Sequence, residues 1–190
     1  MKTFVFWLLV IFAVCLYVIP AIRLLFKRIS CARKLRRLCR RRGFTLQGTH
    51  ALWFLGSRRR KGCDCVIGTP SQVFAVKLFG VLRSARVLVF RETGEYFFRR
   101  YSSILLFIFD IFDGAFRRLP EYDFSRGEEA ANGRTRRDVL LLNPIPMEIR
   151  LQPHNGKEAV TGPGDTLFGM ELASISHLMR IVDSAAEQAG

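Results

Sequence analysis

From Phe4 to Ile22 the chain reads FVFWLLVIFAVCLYVIPAI, 19 residues without a charge, close to the roughly 20 that a helix needs to cross bilayer hydrocarbon. A cleavable leader is the competing reading, but its apolar core spans only about 7–15 residues and ends at small residues. This run is longer, and Ile19-Pro20-Ala21-Ile22 offers no such site. Val14 also stands where a lipoprotein cleavage site ahead of Cys15 wants a small side chain. The expectation is an uncleaved transmembrane anchor over residues 1–26.

The flanks set an orientation. Only Lys2 precedes the run, whereas Arg23, Lys27, Arg28, Arg33, Lys34, Arg36, Arg37, Arg40, Arg41 and Arg42 follow it with no acid among them. Lysine and arginine are retained on the cytoplasmic side. This predicts a single-pass protein of the cell membrane with its amino terminus outside and its body in the cytoplasm. Five cysteines, an odd number in a chain of 190 residues, give no secreted disulfide framework and fit free thiols in a reducing compartment. The formal charge of +14, from 30 Lys+Arg against 16 Asp+Glu, predicts anionic partners, either phospholipid or nucleic acid.

Residues 27–43 read as a basic amphipathic helix lying next to the membrane, with Ser30 as amino cap and Gly43 as stop. At about 100° per residue, Cys31, Ala32, Leu35, Leu38 and Cys39 share one stripe and the arginines cover the rest. Solvated charge around a packed helix would account for this pattern. Lys27, Arg28, Arg33, Lys34, Arg36, Arg37, Arg40, Arg41 and Arg42 are also the candidate contacts to anionic inner-leaflet lipids, each worth about 1 kcal/mol close to such a surface.

Residues 44–190 are expected to form one α/β domain of the α+β kind, a mainly antiparallel sheet flanked by helices. HALWFLG, residues 50–56, is a first apolar run. The basic turn after it holds Arg58, Arg59, Arg60 and Lys61, the candidates for sequence-independent contact with nucleic-acid phosphates. CDCVIGT and QVFAVKLFG read as two strands joined at Pro70-Ser71, and ARVLVFRETGEYFFRRY as a hairpin turning at Glu92–Glu95. SSILLFIFDIFDGAF, residues 102–116, predicts a buried or interfacial helix, residues 117–138 a mobile polar loop, and Val139–Leu142 a strand stopped by Asn143-Pro144. Residues 171–189 predict an amphipathic terminal helix.

Helix, three strands, hairpin, helix, strand, helix is an order that resembles the PD-(D/E)XK nuclease-like fold, including nuclease-related domains tethered to bacterial membranes. Architecturally the resemblance covers about residues 30–190, but its motif lies within residues 64–77. It implies an acid on the second strand, matched by Asp64, and on the third an acid, one residue and a lysine, matched only by Lys77. Ala75 occupies the second acid's place. In such enzymes two carboxylates hold Mg²⁺, which polarises the phosphate and its attacking water. The resemblance therefore implies a site whose chemistry is lost: Asp64 and Lys77 are remnants, no residue is assigned as catalytic, and Mg²⁺ enters only if the protein is a metal-dependent nuclease after all.

No metal site is expected. Cys63 and Cys65 share a strand face in this reading, but Cys31 and Cys39 are about 12 Å apart along a helix, too far for zinc-ligand spacing. His50, His154 and His177 share no spacing. The expected function is a membrane-anchored cytoplasmic binding module without enzymatic activity, engaging lipid and an unknown protein partner. The alternative is a nuclease or nucleic-acid-binding protein using Asp64 and Lys77.

Overall fold

Two helices open the chain, α1 over Lys2–Ala13 and α2 over Ile19–Arg42. The structure, a computed structural model, describes residues 2–14, 18–48, 62–80, 86–100 and 117–187. The 12 residues of α1 reach about 18 Å at 1.5 Å each, against roughly 30 Å of bilayer hydrocarbon. Helix α2 is longer, at 24 residues, but it turns basic from Arg23 onward. Among the described residues no helix is long and apolar enough to cross a membrane. The expected transmembrane anchor is thereby corrected, and the single-pass placement in the cell membrane that rested on it falls as well. The uncharged run had the right length, but the described helices do not follow its limits: α1 covers Lys2–Ala13, and α2 carries Ile19–Ile22 into a basic helix.

Helix α2 also passes through the expected boundary at residue 26 and through Ser30, so Ser30 is not a cap. Its carboxyl end is as expected. Gly43 takes the left-handed conformation, at φ 70°, and its N–H reaches the carbonyl of Cys39.

Among the described residues eleven strands form two mixed sheets. The first has the order β1 (Thr45–Gln47), β2 (Cys65–Gly68), β3 (Gln72–Phe79), β7 (Thr135–Leu142), β11 (Met170–Ala173) and β10 (Thr166–Leu167). Strands β1, β2 and β3 run antiparallel, whereas β7 lies parallel to β3 and β11 parallel to β7. The second has the order β6 (Arg117–Arg118), β5 (Glu95–Arg100), β4 (Arg86–Arg91), β8 (Glu148–Gln152) and β9 (Ala159–Thr161), with β4 and β8 parallel. The expected single, mainly antiparallel sheet is corrected accordingly. Near-continuous apolar runs such as Val139–Leu142 suit strands buried on both faces, the situation of parallel pairs.

Each face of the first sheet is covered. On one side it meets Cys31, Ala32, Leu35, Leu38 and Cys39 of α2, the stripe read from the sequence, together with α4 (Ile175–Glu187). Helix α4 buries Leu178, Val182 and Ala185 at helical spacing. Its amino end is fixed by Ser174, whose Oγ accepts the His177 N–H at 3.1 Å, so residues 171–174 are strand and cap rather than helix. On the other side Val73, Phe79, Leu140 and Leu142 pack against Leu88, Phe90, Tyr96 and Phe98 of the second sheet. Phe79 meets Tyr96 edge-on with ring centroids 5.0 Å apart.

The polar stretch 117–138 is not one loop. It holds β6, a short helix α3 (Ser125–Ala131) and the start of β7. The hairpin at Glu92–Gly94 and the strands on either side of Pro70-Ser71 form as expected. The expected strand at 50–56 and helix at 102–116 lie outside the described residues.

Candidate functional site

The basic face of α2 is a dense concentration of positive charge among the described residues. Arg36, Arg40, Arg33, Arg37, Arg41 and Lys34 are all exposed, and at about 100° per residue they occupy an arc of roughly 160° centred opposite the buried stripe. From Arg33 to Arg41 the stripe is about 12 Å long. Arg42 lies on the packed side, where its Nε is 2.9 Å from Asp183 of α4. The helix contains no acid, and among the described residues Arg33, Lys34, Arg36, Arg37, Arg40 and Arg41 have no carboxylate partner. Lys27 and Arg28 belong to the same helix; Arg58, Arg59, Arg60 and Lys61 lie outside the described residues.

Asp64 and Lys77 are brought together, but in the interior. Their side chains are 2 % and 0 % exposed, with Lys77 Nζ 3.5 Å from Asp64 Oδ1. Asp64 Oδ2 accepts the Leu78 N–H at 2.8 Å, and the Asp64 N–H donates to the Val76 carbonyl at 2.8 Å. The carboxylate thus continues the β2–β3 ladder one step beyond Cys65. Lys77 Nζ donates to the Gly62 carbonyl at 2.8 Å and stands 5.1 Å from the Tyr122 ring centre. A buried pair held in this way joins the entry to β2 to the far end of β3.

Ala75 is small for a reason that lies elsewhere in the chain. It is fully buried, and α3 crosses directly above it. A Cβ added at Gly127 would come within 2.5 Å of the Ala75 Cβ. An acid at position 75 would need the space that α3 fills.

Across the parallel ladder the residue beside Ala75 is Asp138. Arg136 NH2 donates to its Oδ2 at 3.2 Å, while Arg136 Nε is 3.1 Å from Oδ1 but badly aligned, leaving that oxygen without a hydrogen bond among the described residues. Burial raises the Asp138 pKa above the ordinary carboxylate value, and Arg136 opposes the shift. Arg136 also bridges to Glu128 of α3 at 3.5 Å. Asp138 therefore belongs to an arginine-held cluster under α3, whereas Asp64 is tied to Lys77 and Leu78. Among the described residues no three His, Cys, Asp or Glu side chains are placed to hold a metal ion.

The cysteines separate across the sheet. Cys31, Cys39 and Cys65 join the core under α2, while Cys63 enters the opposite core, because the strand begins only at Cys65. Burial pushes the thiol of Cys31 up to about 12 and that of Cys39 to about 11, and raises those of Cys63 and Cys65.

Three residues that the sequence reading passed over line the same region: Asp138, Arg126 and Arg134. Asp138 is the only acid in TRRDVLLL, a signal that parallel pairing with β3 would have made useful. Arg126 and Arg134 fell within the expected loop. Comparison with family models, curated proteins and solved structures finds no match to this chain.

Proposed function

We propose that this protein is a non-enzymatic binding module that takes the phosphate backbone of nucleic acid along the basic face of α2, on a nuclease-like scaffold whose cleavage chemistry is lost. The observation that carries the reading is the exposed basic stripe from Arg33 to Arg41, which has no carboxylate partner among the described residues. Arginine dominates it, and a guanidinium fork matches phosphate oxygens in pairs. An arc of roughly 160° turns its edge residues sideways. That suits the two phosphate walls of a groove about 12 Å wide better than a flat plane of headgroups.

Two features support loss of cleavage. Asp64 spends its carboxylate on Leu78 and Lys77, and α3 fills the space that a second acid on β3 would need. Three antiparallel strands, a crossover that includes α3, and a fourth strand parallel to the third support the scaffold assignment.

The test offers labelled duplex DNA and single-stranded RNA to the purified chain with Mg²⁺ present, beside vesicles of neutral and of mixed anionic lipid. The expected result is a shifted, intact nucleic acid. Cleavage that disappears in Asp64→Ala would overturn the loss of chemistry, and binding to anionic vesicles alone would overturn the choice of partner.

A further inference from the structure

A cavity of about 720 Å³ opens between the β1–β2 edge of the first sheet and α3, lined among others by Thr45, Gln47, Arg126, Glu129, Asn132 and Arg134. It lies beside the Asp64–Lys77 pair but takes its chemistry from other residues, and it is separate from the basic face of α2. Its size falls within the roughly 300–1,000 Å³ typical of small-molecule sites.

Two guanidinium groups give it a sign. Arg134 is fixed in place: Nε donates to the Ala131 carbonyl at 3.1 Å, NH2 to Ala130 at 2.7 Å and NH1 to Thr69 at 2.7 Å. These bonds satisfy last-turn carbonyls of α3 and clamp that helix to the β2–β3 turn. A guanidinium has five N–H donors, so among the described residues one N–H on each terminal nitrogen of Arg134 remains uncommitted, with no carboxylate to neutralise the charge. Arg126, in the first turn of α3, likewise has no carboxylate partner among the described residues. Asp64 is balanced by Lys77 behind it, which leaves Glu129 as the remaining acid among the described lining residues. Among these residues the balance is one positive charge in excess, beside two side-chain amides and a hydroxyl.

We propose that this cavity binds a nucleoside monophosphate. Arg126 and the immobilised Arg134 take the phosphate oxygens, for which planar guanidinium donors are suited. Gln47 and Asn132 supply the paired donor and acceptor that the edge of a base needs, and Glu129 accepts from ribose hydroxyls.

Calorimetric titration of the full chain in EDTA tests this with AMP, adenosine and inorganic phosphate as probes. AMP binds, and adenosine and phosphate each bind at least about tenfold more weakly, the scale of one hydrogen bond to a charged group. Arg126→Ala weakens AMP by at least about tenfold with its melting temperature unchanged. Gln47→Ala, on an exposed strand position, gives a second loss that does not depend on α3. Absence of AMP binding would overturn the proposal, as would inorganic phosphate binding as tightly as AMP, or both variants binding AMP like the parent. A chain carrying Arg33→Gln, Arg37→Gln and Arg40→Gln keeps its AMP affinity. Loss there would place the nucleotide on α2 and refute the cavity site, whereas failure of nucleic acid to bind α2 leaves it standing.

Discussion

Gly127→Ala tests why the acid at position 75 is missing. The new methyl would come within 2.5 Å of the Ala75 Cβ and 3.5 Å of the Arg136 Cδ. Carbon atoms rest at about 3.5–4.0 Å, so α3 would have to retreat by about 1 Å. Overpacking of this kind costs about 1–3 kcal/mol. Replacing glycine by alanine inside a helix returns about 1 kcal/mol. The balance is a loss of about 0–2 kcal/mol, or about 0–8 °C in melting temperature for a chain of this size. Urea unfolding of the parent, Gly127→Ala, Ala75→Gly and the double variant forms a thermodynamic cycle. In the double variant the methyl has only changed sides, so the two changes should couple favourably by about 1 kcal/mol or more. Ala75→Glu, which rebuilds the nuclease pattern, should cost at least about 3 kcal/mol from overpacking and carboxylate burial together, and should give no Mg²⁺-dependent cleavage. The reasoning is refuted if Gly127→Ala is more stable than the parent, or if the cycle shows no coupling, because α3 would then leave room for a larger residue at 75.

The remaining expectations concern the buried groups. Asp64→Ala or Lys77→Ala should each cost about 3–5 kcal/mol, the usual result of stripping one member from a buried pair; urea midpoints that do not move would contradict a structural role. Asp138 has a raised pKa, so between its unfolded value and its folded one the native state holds more protons and stability falls as pH rises. Asp138→Asn should therefore equal or exceed the parent in stability at pH 7, with the advantage gone below the unfolded carboxylate value. An Asn variant whose relative stability improves towards acid pH would show the sign to be wrong. Cys31, Cys39, Cys63 and Cys65 should resist iodoacetamide at pH 8 until the chain is unfolded, since thiol reactivity follows the thiolate; rapid native labelling at any of them would contradict their burial.

Local patterns in the sequence carried much of this fold. Spacing alone identified the five α2 residues that meet the sheet, because a helix pressed on one side repeats its apolar side chains every three to four positions. Gly43 and the turn at Glu92–Gly94 were legible through backbone chemistry. Long-range pairing was not legible: nothing in QVFAVKLF or TRRDVLLL states that they lie side by side and parallel, and so nothing placed Asp138 next to Ala75. Helix α3 was hidden because SRGEEAA is short, polar and interrupted by a glycine, and its reason for being helical is contact with β3. The uncharged run at the start misled for a related cause. Its length was counted between charges, whereas α2 carries the last residues of the run, Ile19–Ile22, into a basic helix that ends at Arg42.

The site was legible in residue type and not in role. Asp64 and Lys77 do meet, but the meeting is buried and spent on backbone groups. The α2 arginines were evident as charge, and the structure adds that six of the basic side chains are exposed on one face while Arg42 is drawn to Asp183.

The most direct measurement is the salt dependence of duplex DNA binding, read by fluorescence anisotropy. About five phosphate contacts from the α2 face predict a slope of log Kobs against log salt of about −4 to −5. Replacing Arg33, Arg37 and Arg40 by Gln should make it shallower by about 3, with the DNA intact in Mg²⁺ throughout. A slope near zero, an unchanged slope in the triple variant, or cleavage products would contradict the account.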